Sequence, residues 1–374
     1  MEMSDLPKEL VEEILSKIPV TCMRSVRLTC KKWNDLSKTR SFVEKHIGEE
    51  TSRKSSVIMT MNQKVYLLGV SFSGIHNKFD TSIKHKGTLI IRNNNMDSEP
   101  LVLKVFHGDG LFLFVMVKRV VVWNPYLGQV KWIQARDSYY QDDFAMGYAK
   151  KDKSHSHKIF RISNVNSIPY EIYDFKSDSW KVLGITPLEE DVFLCYDALS
   201  LKGNSYWVAR EKIETRNKKF LICFDFTEER LGPRLSFPFD SYFEDIVILS
   251  SFGEEQIAVL FKKWGKFEMK IWVTSKINPT TVSWSKFLEV DMRPFITGCN
   301  HVFTQSRGFF IDEEKKVVVV FGRHEFDDTR KIAYIIGEDG YFRKVDLGED
   351  TNIFSHQHVR SYVPSSVHIN HPFC

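Results

Sequence analysis

The stretch from Val120 to Ile133 reads VVVWNPYLGQVKWI. A β-branched run ends on a tryptophan, an Asn-Pro…Gly segment supplies turn chemistry, and a second short run follows. These residues therefore read as two strands joined by a tight turn. The same order returns as YEIYDFKSDSWKVL at Tyr170–Leu183, FLICFDFTEERLGPRLSFP at Phe220–Pro238, MKIWVTS with VSWSKFLEV inside Met269–Val290, and IAYIIGEDGYFRKVDL at Ile332–Leu347. TLIIRNNNMDSEPLVL at Thr88–Leu103 is a weaker copy. With Trp123, Tyr173, Phe224, Trp272 and Ile336 taken as equivalent, successive steps are about 50 residues, the last somewhat longer, close to the period of kelch-type propeller blades.

Outward from each copy lies a second strand pair. Ala198–Ala209 is the clearest, with LSL, a Lys-Gly-Asn turn and SYWVA. Val105–Val117, Ile246–Phe261 and Gly308–Phe321 follow the same plan. Four strands per unit make a propeller blade. Six units result, centred near Ile90, Val122, Tyr173, Cys223, Ile271 and Ile335. The early steps are irregular enough to leave five or seven open. The tail Arg360–Ile369 is placed to close the ring on the first unit. Paired β-sandwiches are the alternative architecture.

The first fifty residues follow another rule. Leu6, Leu10, Val11, Ile14, Leu15 and Ile18 recur every three to four positions, the spacing of one helix face, with Lys8, Glu9, Glu12, Glu13, Ser16 and Lys17 between them. Pro7 suits the first helical turn and Pro19 stops the helix. Thr21 suits the N-cap of a second helix. Val26, Cys30, Trp33 and Leu36 share a face, with a break near Leu28–Thr29. The first helix is acidic, whereas Arg24, Arg27, Lys31, Lys32 and Lys38 make the next segment basic. Leaving five or six large aliphatics in water forgoes about 1.5–3 kcal/mol each, and fifty residues rarely build a sufficient core alone. This surface therefore calls for burial against the β domain or a separate partner.

Leu6–Leu36, LPKELVEEILSKIPVTCMRSVRLTCKKWNDL, closely resembles an F-box. The matching positions are Leu6-Pro7, Leu10, Ile14-Leu15, Ile18-Pro19, Val26-Arg27 and Cys30-Lys31-Lys32-Trp33. Cys22-Met23 stands where Ser-Leu is more usual. The resemblance implies docking onto the acidic Skp-family adaptor of a cullin–RING ubiquitin ligase, with Leu6, Pro7, Leu10, Ile14, Leu15, Pro19, Val26 and Trp33 forming or supporting the docking surface. A basic second half facing an acidic partner is physically sensible. Most of 57–368 is similar to the plant F-box-associated interaction domain, on the strength of Val122-Trp123-Asn124-Pro125, Gly147-Tyr148, Tyr173–Trp180, Ser200–Asn204 with Tyr206-Trp207, Cys223–Thr227 and Gly232-Pro233-Arg234. That resemblance implies a substrate receptor and leaves the target open.

The expected organisation is a small all-α module at 1–48, a linker at 49–56, and a large all-β domain at 57–370. The chain has 374 residues, 43% hydrophobic and 27% charged, with 29 phenylalanines, which suits a globular protein rich in sheet. A net charge of +4 does not argue for nucleic acid. The densest basic stretches, Lys150–Lys158 and Lys262–Lys266, read as loop charges. Leu111–Val117 is the longest apolar run, too short to span a bilayer, so no membrane partner is expected. Six scattered cysteines without a C-x-x-C pair, no apolar leader and no glycosylation sequon favour a cytoplasmic or nuclear setting.

No constellation argues for catalysis. Gly69-Val70-Ser71-Phe72-Ser73 misses the nucleophile-elbow pattern at its last position. The pairs His155/His157, His356/His358 and His368/His371 lack further ligands at fixed spacing, and His324-Glu325-Phe326-Asp327-Asp328 lacks the second histidine of a zinc motif. Gly108-Asp109-Gly110 is a hairpin signal rather than a phosphate loop. Once-per-blade aromatics read as core, and Asn-Pro, Asp-Phe and Gly-Asn pairs as turns. The expectation is therefore a noncatalytic, cofactor-free and metal-free subunit that presents an unknown target protein for ubiquitination. The rival expectations are a propeller hydrolase or other ligand-binding propeller with a helical cap, and, more weakly, a nucleic-acid-binding propeller.

Overall fold

The computed structural model describes residues 6–18, 22–53, 55–61, 64–73, 80–89, 102–116, 119–134, 142–151, 154–162, 170–184, 192–195, 198–211, 218–253, 255–295, 303, 306, 308–327, 329–349 and 359–369. Four helices come first: α1 (Lys8–Ser16), α2 (Met23–Thr29), α3 (Lys31–Leu36) and α4 (Arg40–Arg53). Pro7 stands one position before α1, and its carbonyl accepts the Leu10 and Val11 amides at 3.1 Å each. The break between α2 and α3 falls at Cys30, whose backbone is extended, one residue beyond the expected place. Pro19 and Thr21 lie outside the described residues. Residues 49–53 continue α4 and the first strand starts at Ser55, so helix and strand occupy most of the stretch expected as linker.

Six small antiparallel sheets follow, forming a six-bladed β-propeller. Blade one pairs Val359–Ser361, Ser55–Met61, Lys64–Ser73 and Asp80–Leu89. Blade two holds Val102–Gly108, Leu111–Met116, Arg119–Asn124 and Gln129–Gln134, and blade three Asp143–Lys151, Ser154–Ile162, Glu171–Asp174 and Ser179–Val182. Blade four sets both Val192–Leu194 and Leu199–Leu201 against Asn204–Glu211, then adds Lys219–Asp225 and Arg230–Leu231. Blade five is Ile246–Phe252, Gln256–Lys262, Glu268–Ile277 and Val282–Asp291; blade six is Phe309–Asp312, Val317–Arg323, Arg330–Gly337 and Phe342–Glu349. The first strands of successive blades, from 102–108 round to 359–361, touch one another and form the inner wall.

The core is distributed over the seams. Six apolar clusters each join two neighbouring blades, including one between blades six and one. Leu111–Met116 shows why. Phe112 and Phe114 face the seam with blade one, while Leu111, Leu113 and Val115 face the seam with blade three. Side chains alternate along a strand, and both faces are buried, so the strand reads as a continuous apolar run. Two facing sandwiches would instead share one core between two sheets; the seam-by-seam core excludes that alternative.

Two sequence readings change. Thr88–Leu103 is not one hairpin. Blade one ends at Leu89 and blade two begins at Val102, and the expected centre at Ile90 lies outside the described residues. Alternation on both sides of a polar middle looks the same whether that middle is a hairpin turn or a blade-to-blade connection. The tail does close the ring, but only Val359–Ser361 forms a ladder, with Met59, Ile58 and Val57. Residues 362–369 then cross beneath blade two, where Asn124 Nδ2 donates to the carbonyls of Ser365 at 3.0 Å and Val367 at 2.7 Å.

Candidate docking surfaces

The single apolar stripe expected on α1 divides in two. Val11 and Leu15 are buried with Met23, Val26, Leu36 and Phe42, and Leu6, Ile18 and Trp33 pack at the edge of this small core. Leu10 is 47% exposed and Ile14 40% exposed, next to exposed Pro7. On α2, Leu28 is 77% exposed. The expected docking residues thus fall into an outward set, Pro7, Leu10 and Ile14, and a supporting set, Leu15 and Val26 buried with Leu6 and Trp33 half-buried. Leu28 was not anticipated, because the expected helix break fell beside it. Ser16, expected on the polar face, is buried, its hydroxyl donating to the Glu13 carbonyl at 2.8 Å.

The helices are fastened to the propeller. Phe42 faces the helical core, while Val43 and Ile47, one position along α4, pack with Ile58, Leu67, Tyr126 and Leu127 of blades one and two. Between them His46 is fully buried. Its Nε2 lies 2.6 Å from the Ile18 carbonyl and its Nδ1 3.0 Å from the Tyr126 hydroxyl. Arg27 donates to the Tyr126 carbonyl, stacks over the Tyr126 ring at 5.4 Å, and donates to the Ser37 hydroxyl at 3.1 Å. Burial pulls the Arg27 guanidinium below its ordinary pKa. Tyr126 sits in the turn 125–128 between the third and fourth strands of blade two, so the helices attach to the face that carries such turns.

The antiparallel alternation then assigns the opposite face. It carries the turns between second and third strands and the connections from blade to blade. Most of the exposed large apolar side chains of the described propeller lie towards it: Trp132, Val182, Phe193, Tyr242, Phe243, Trp264 and Phe326. Val363, in the tail beneath blade two, is the exception. That side also carries two charge clusters, one buried around Arg161 and one half-buried at Lys104. Arg161 donates to Asp142 Oδ2 at 2.7 Å and Glu171 Oε2 at 2.8 Å, and Lys104 reaches Asp143 Oδ1 at 2.7 Å.

The recurring aromatics are core: Tyr173, Tyr206, Trp207 and Phe224 are all buried. Ser71 lies within the strand Lys64–Ser73, not at an elbow. His157 bonds Asp109 Oδ2 at 2.7 Å, and His155 stacks on Tyr148 with centroids 4.1 Å apart. His356, His358 and His371 lie outside the described residues. Among the described residues, no three His, Cys, Asp or Glu side chains converge as a metal site.

Two family models match the chain, the F-box domain over residues 3–45 and the F-box associated beta propeller domain over residues 56–369. The chain belongs to the F-box family whose members carry an F-box-associated β-propeller. The F-box protein At5g42460 of Arabidopsis thaliana is 47% identical, with 98% of each chain covered. The F-box/kelch-repeat protein At3g16740 of the same plant is 44% identical, over 99% of this chain and all of its own. Among solved structures, the SapL1 lectin aligns with 79% of this F-box protein and 96% of its own chain at 9% identity and a TM-score of 0.38, too distant to bear on function. Within the F-box, Arg27 of the Val26-Arg27 signature turns towards the propeller rather than outward, a role that only the folded chain reveals.

Proposed function

We propose that this F-box protein is the substrate-recognition subunit of a Skp–cullin–F-box ubiquitin ligase, working in the cytoplasm or nucleus. Its helices dock a Skp-family adaptor, and its propeller holds a target protein. The carrying observation is the uncovered apolar set Leu10, Ile14 and Leu28 on helices whose other faces are already buried. Large aliphatics left in water on a fold with its own core mark an interaction site. Pro7, Leu15, Pro19, Val26, Leu6 and Trp33 form or support the same surface. The chain contributes proximity: the target is held beside a ubiquitin thioester carried by other subunits, which raises its effective concentration. No nucleophile is required of this subunit. No described helix is long and apolar enough to cross a membrane.

Co-purification of the full chain with a Skp-type adaptor tests the reading. Leu10→Asp with Ile14→Asp is expected to weaken binding at least a hundredfold while the thermal transition stays in place. Failure of the parent chain to bind any such adaptor overturns the proposal.

A further inference from the structure

At the seam between blades four and five, on the face away from the F-box, Arg210 lies against two rings. Its guanidinium carbon lies 5.0 Å from the Phe193 centroid and 4.6 Å from the Phe243 centroid. Phe193 opposes Arg210 in the ladder of blade four, and Phe243 comes from the connection to blade five. Among the described residues the Arg210 guanidinium has no hydrogen-bond or ion-pair partner, although the neighbouring Glu211 is engaged by Arg234.

The loops beside it are fixed from beneath. Buried Asp245 accepts the Tyr242 amide at Oδ2 and the Trp264 amide at Oδ1, each at 2.8 Å. That tie holds two connections together and leaves Tyr242 52% and Trp264 43% exposed. Trp264 sits in the run Lys262–Lys266. Lys263 and Lys266 are exposed and, among the described residues, have no acidic partner. Nearby Lys218 is neutralised by Asp240 at 2.7 Å, and Glu244 is the opposing charge on the loop.

We propose that this patch, Arg210 with Phe193, Tyr242, Phe243, Trp264 and the two lysines, docks a linear segment of the target that carries an anionic side chain beside an aromatic or aliphatic one. The inference rests on the reading of the propeller as the target-binding domain. Two rings lie against the guanidinium and no acceptor meets its N–H groups among the described residues, so they remain for a partner, and that planar fork matches a carboxylate or phosphate oxygen pair. Stacking has already restricted the arginine, so less entropy is lost when the anion arrives. Aromatic residues around an arginine are the side chains that carry most binding energy at interfaces. The unpaired lysines favour an acidic approach and faster association.

The test uses the full chain immobilised alone, with adaptor binding measured on the same preparation. A displayed library of random dodecamers is selected on it, and the enriched sequences are synthesised with Glu, phosphoserine, Gln or Lys at the acidic position. Enriched peptides are expected to be net acidic with an aromatic or aliphatic neighbour, and Glu→Gln to cost at least tenfold in Kd. The Glu and phosphoserine arms separate a carboxylate from a phosphate ligand. Arg210→Gln should erase the preference for Glu over Gln, Arg210→Lys should restore it partly, and Tyr242→Ser with Phe243→Ser, on the exposed loop, should weaken all peptides. Neutral or basic winners, no enrichment, or a preference that survives Arg210→Gln overturns the proposal. Loss of adaptor binding with peptide binding intact would instead sink the ligase reading alone.

Discussion

Tyr126 illustrates what one side chain does in this molecule. It is fully buried and meets His46 through its hydroxyl, Arg27 through its carbonyl and ring, and the seam of blades one and two through its face. Removing the hydroxyl in Tyr126→Phe leaves a buried imidazole nitrogen without that partner and is expected to cost about 1–3 kcal/mol in chemical denaturation. The cysteines make a second residue-scale contrast. Burial pushes the Cys223 thiol up to about 12, while Cys22 and Cys30 are exposed. Only the thiolate reacts. Maleimide at pH 7.5, read by peptide mapping, should therefore label Cys22 and Cys30 in the native protein and reach Cys223 only after unfolding. At Gly203, with φ of +86°, a Cβ would meet the Tyr148 ring at 2.7 Å, and that glycine's carbonyl accepts the Tyr148 amide at 3.0 Å. The Gly-Asn pair was legible as a turn; the ring lying against it was not, because the tyrosine belongs to another blade.

At the scale of elements, α1 is one helix with two assignments. Leu15→Ala removes a fully buried side chain and is expected to destabilise the helical module by about 2–5 kcal/mol. Leu10→Ala and Ile14→Ala change exposed positions and are expected to shift stability by no more than about 0.5 kcal/mol, while weakening adaptor binding. Measuring stability and affinity on the same variants separates the two roles. Periodicity placed all four residues on one side of the helix, because a 3.6-residue repeat reports which residues neighbour one another and not what covers them. α4 is a harder case: Phe42 serves the helical core and Val43 and Ile47 the propeller, so its apolar residues do not form one narrow stripe. The hairpins were the most legible elements, since Asn124 both ends a strand and accepts the Leu127 amide at 3.0 Å within its own turn. Its side-chain bonds to the distant tail had no local signal.

For the whole molecule, the ring has no independent blades. Each seam needs both neighbours, and the seam between blades six and one depends on Val359, which packs there with Val57, Phe310 and Val319. Truncation after residue 358 is expected to abolish cooperative unfolding by circular dichroism rather than trim one edge, because blade one loses its inner strand. Seams are also joined by charge. Burial tends to raise the Glu229 carboxyl, but Lys158 at 2.5 Å and Lys181 at 3.1 Å more than offset it and hold its pKa below the ordinary value. Such a group stabilises the fold above its unfolded pKa of about 4.3, and that contribution is lost as pH falls through the lower native value. Glu229→Gln should accordingly flatten the acid limb of stability against pH below about 4.3, measured by urea midpoints.

The sequence by itself determined the helical module, the repeat of four strands and the tail's part in closing the ring, because turn chemistry and hydrophobic period are local properties of the chain. The blade boundary between Leu89 and Val102, the Arg27–His46–Tyr126 joint and the Phe193–Arg210–Phe243 stack were decided only by the tertiary structure. Each depends on residues far apart along the chain meeting across a seam, and no spacing rule encodes which strand end will lie beside which loop once the ring has closed.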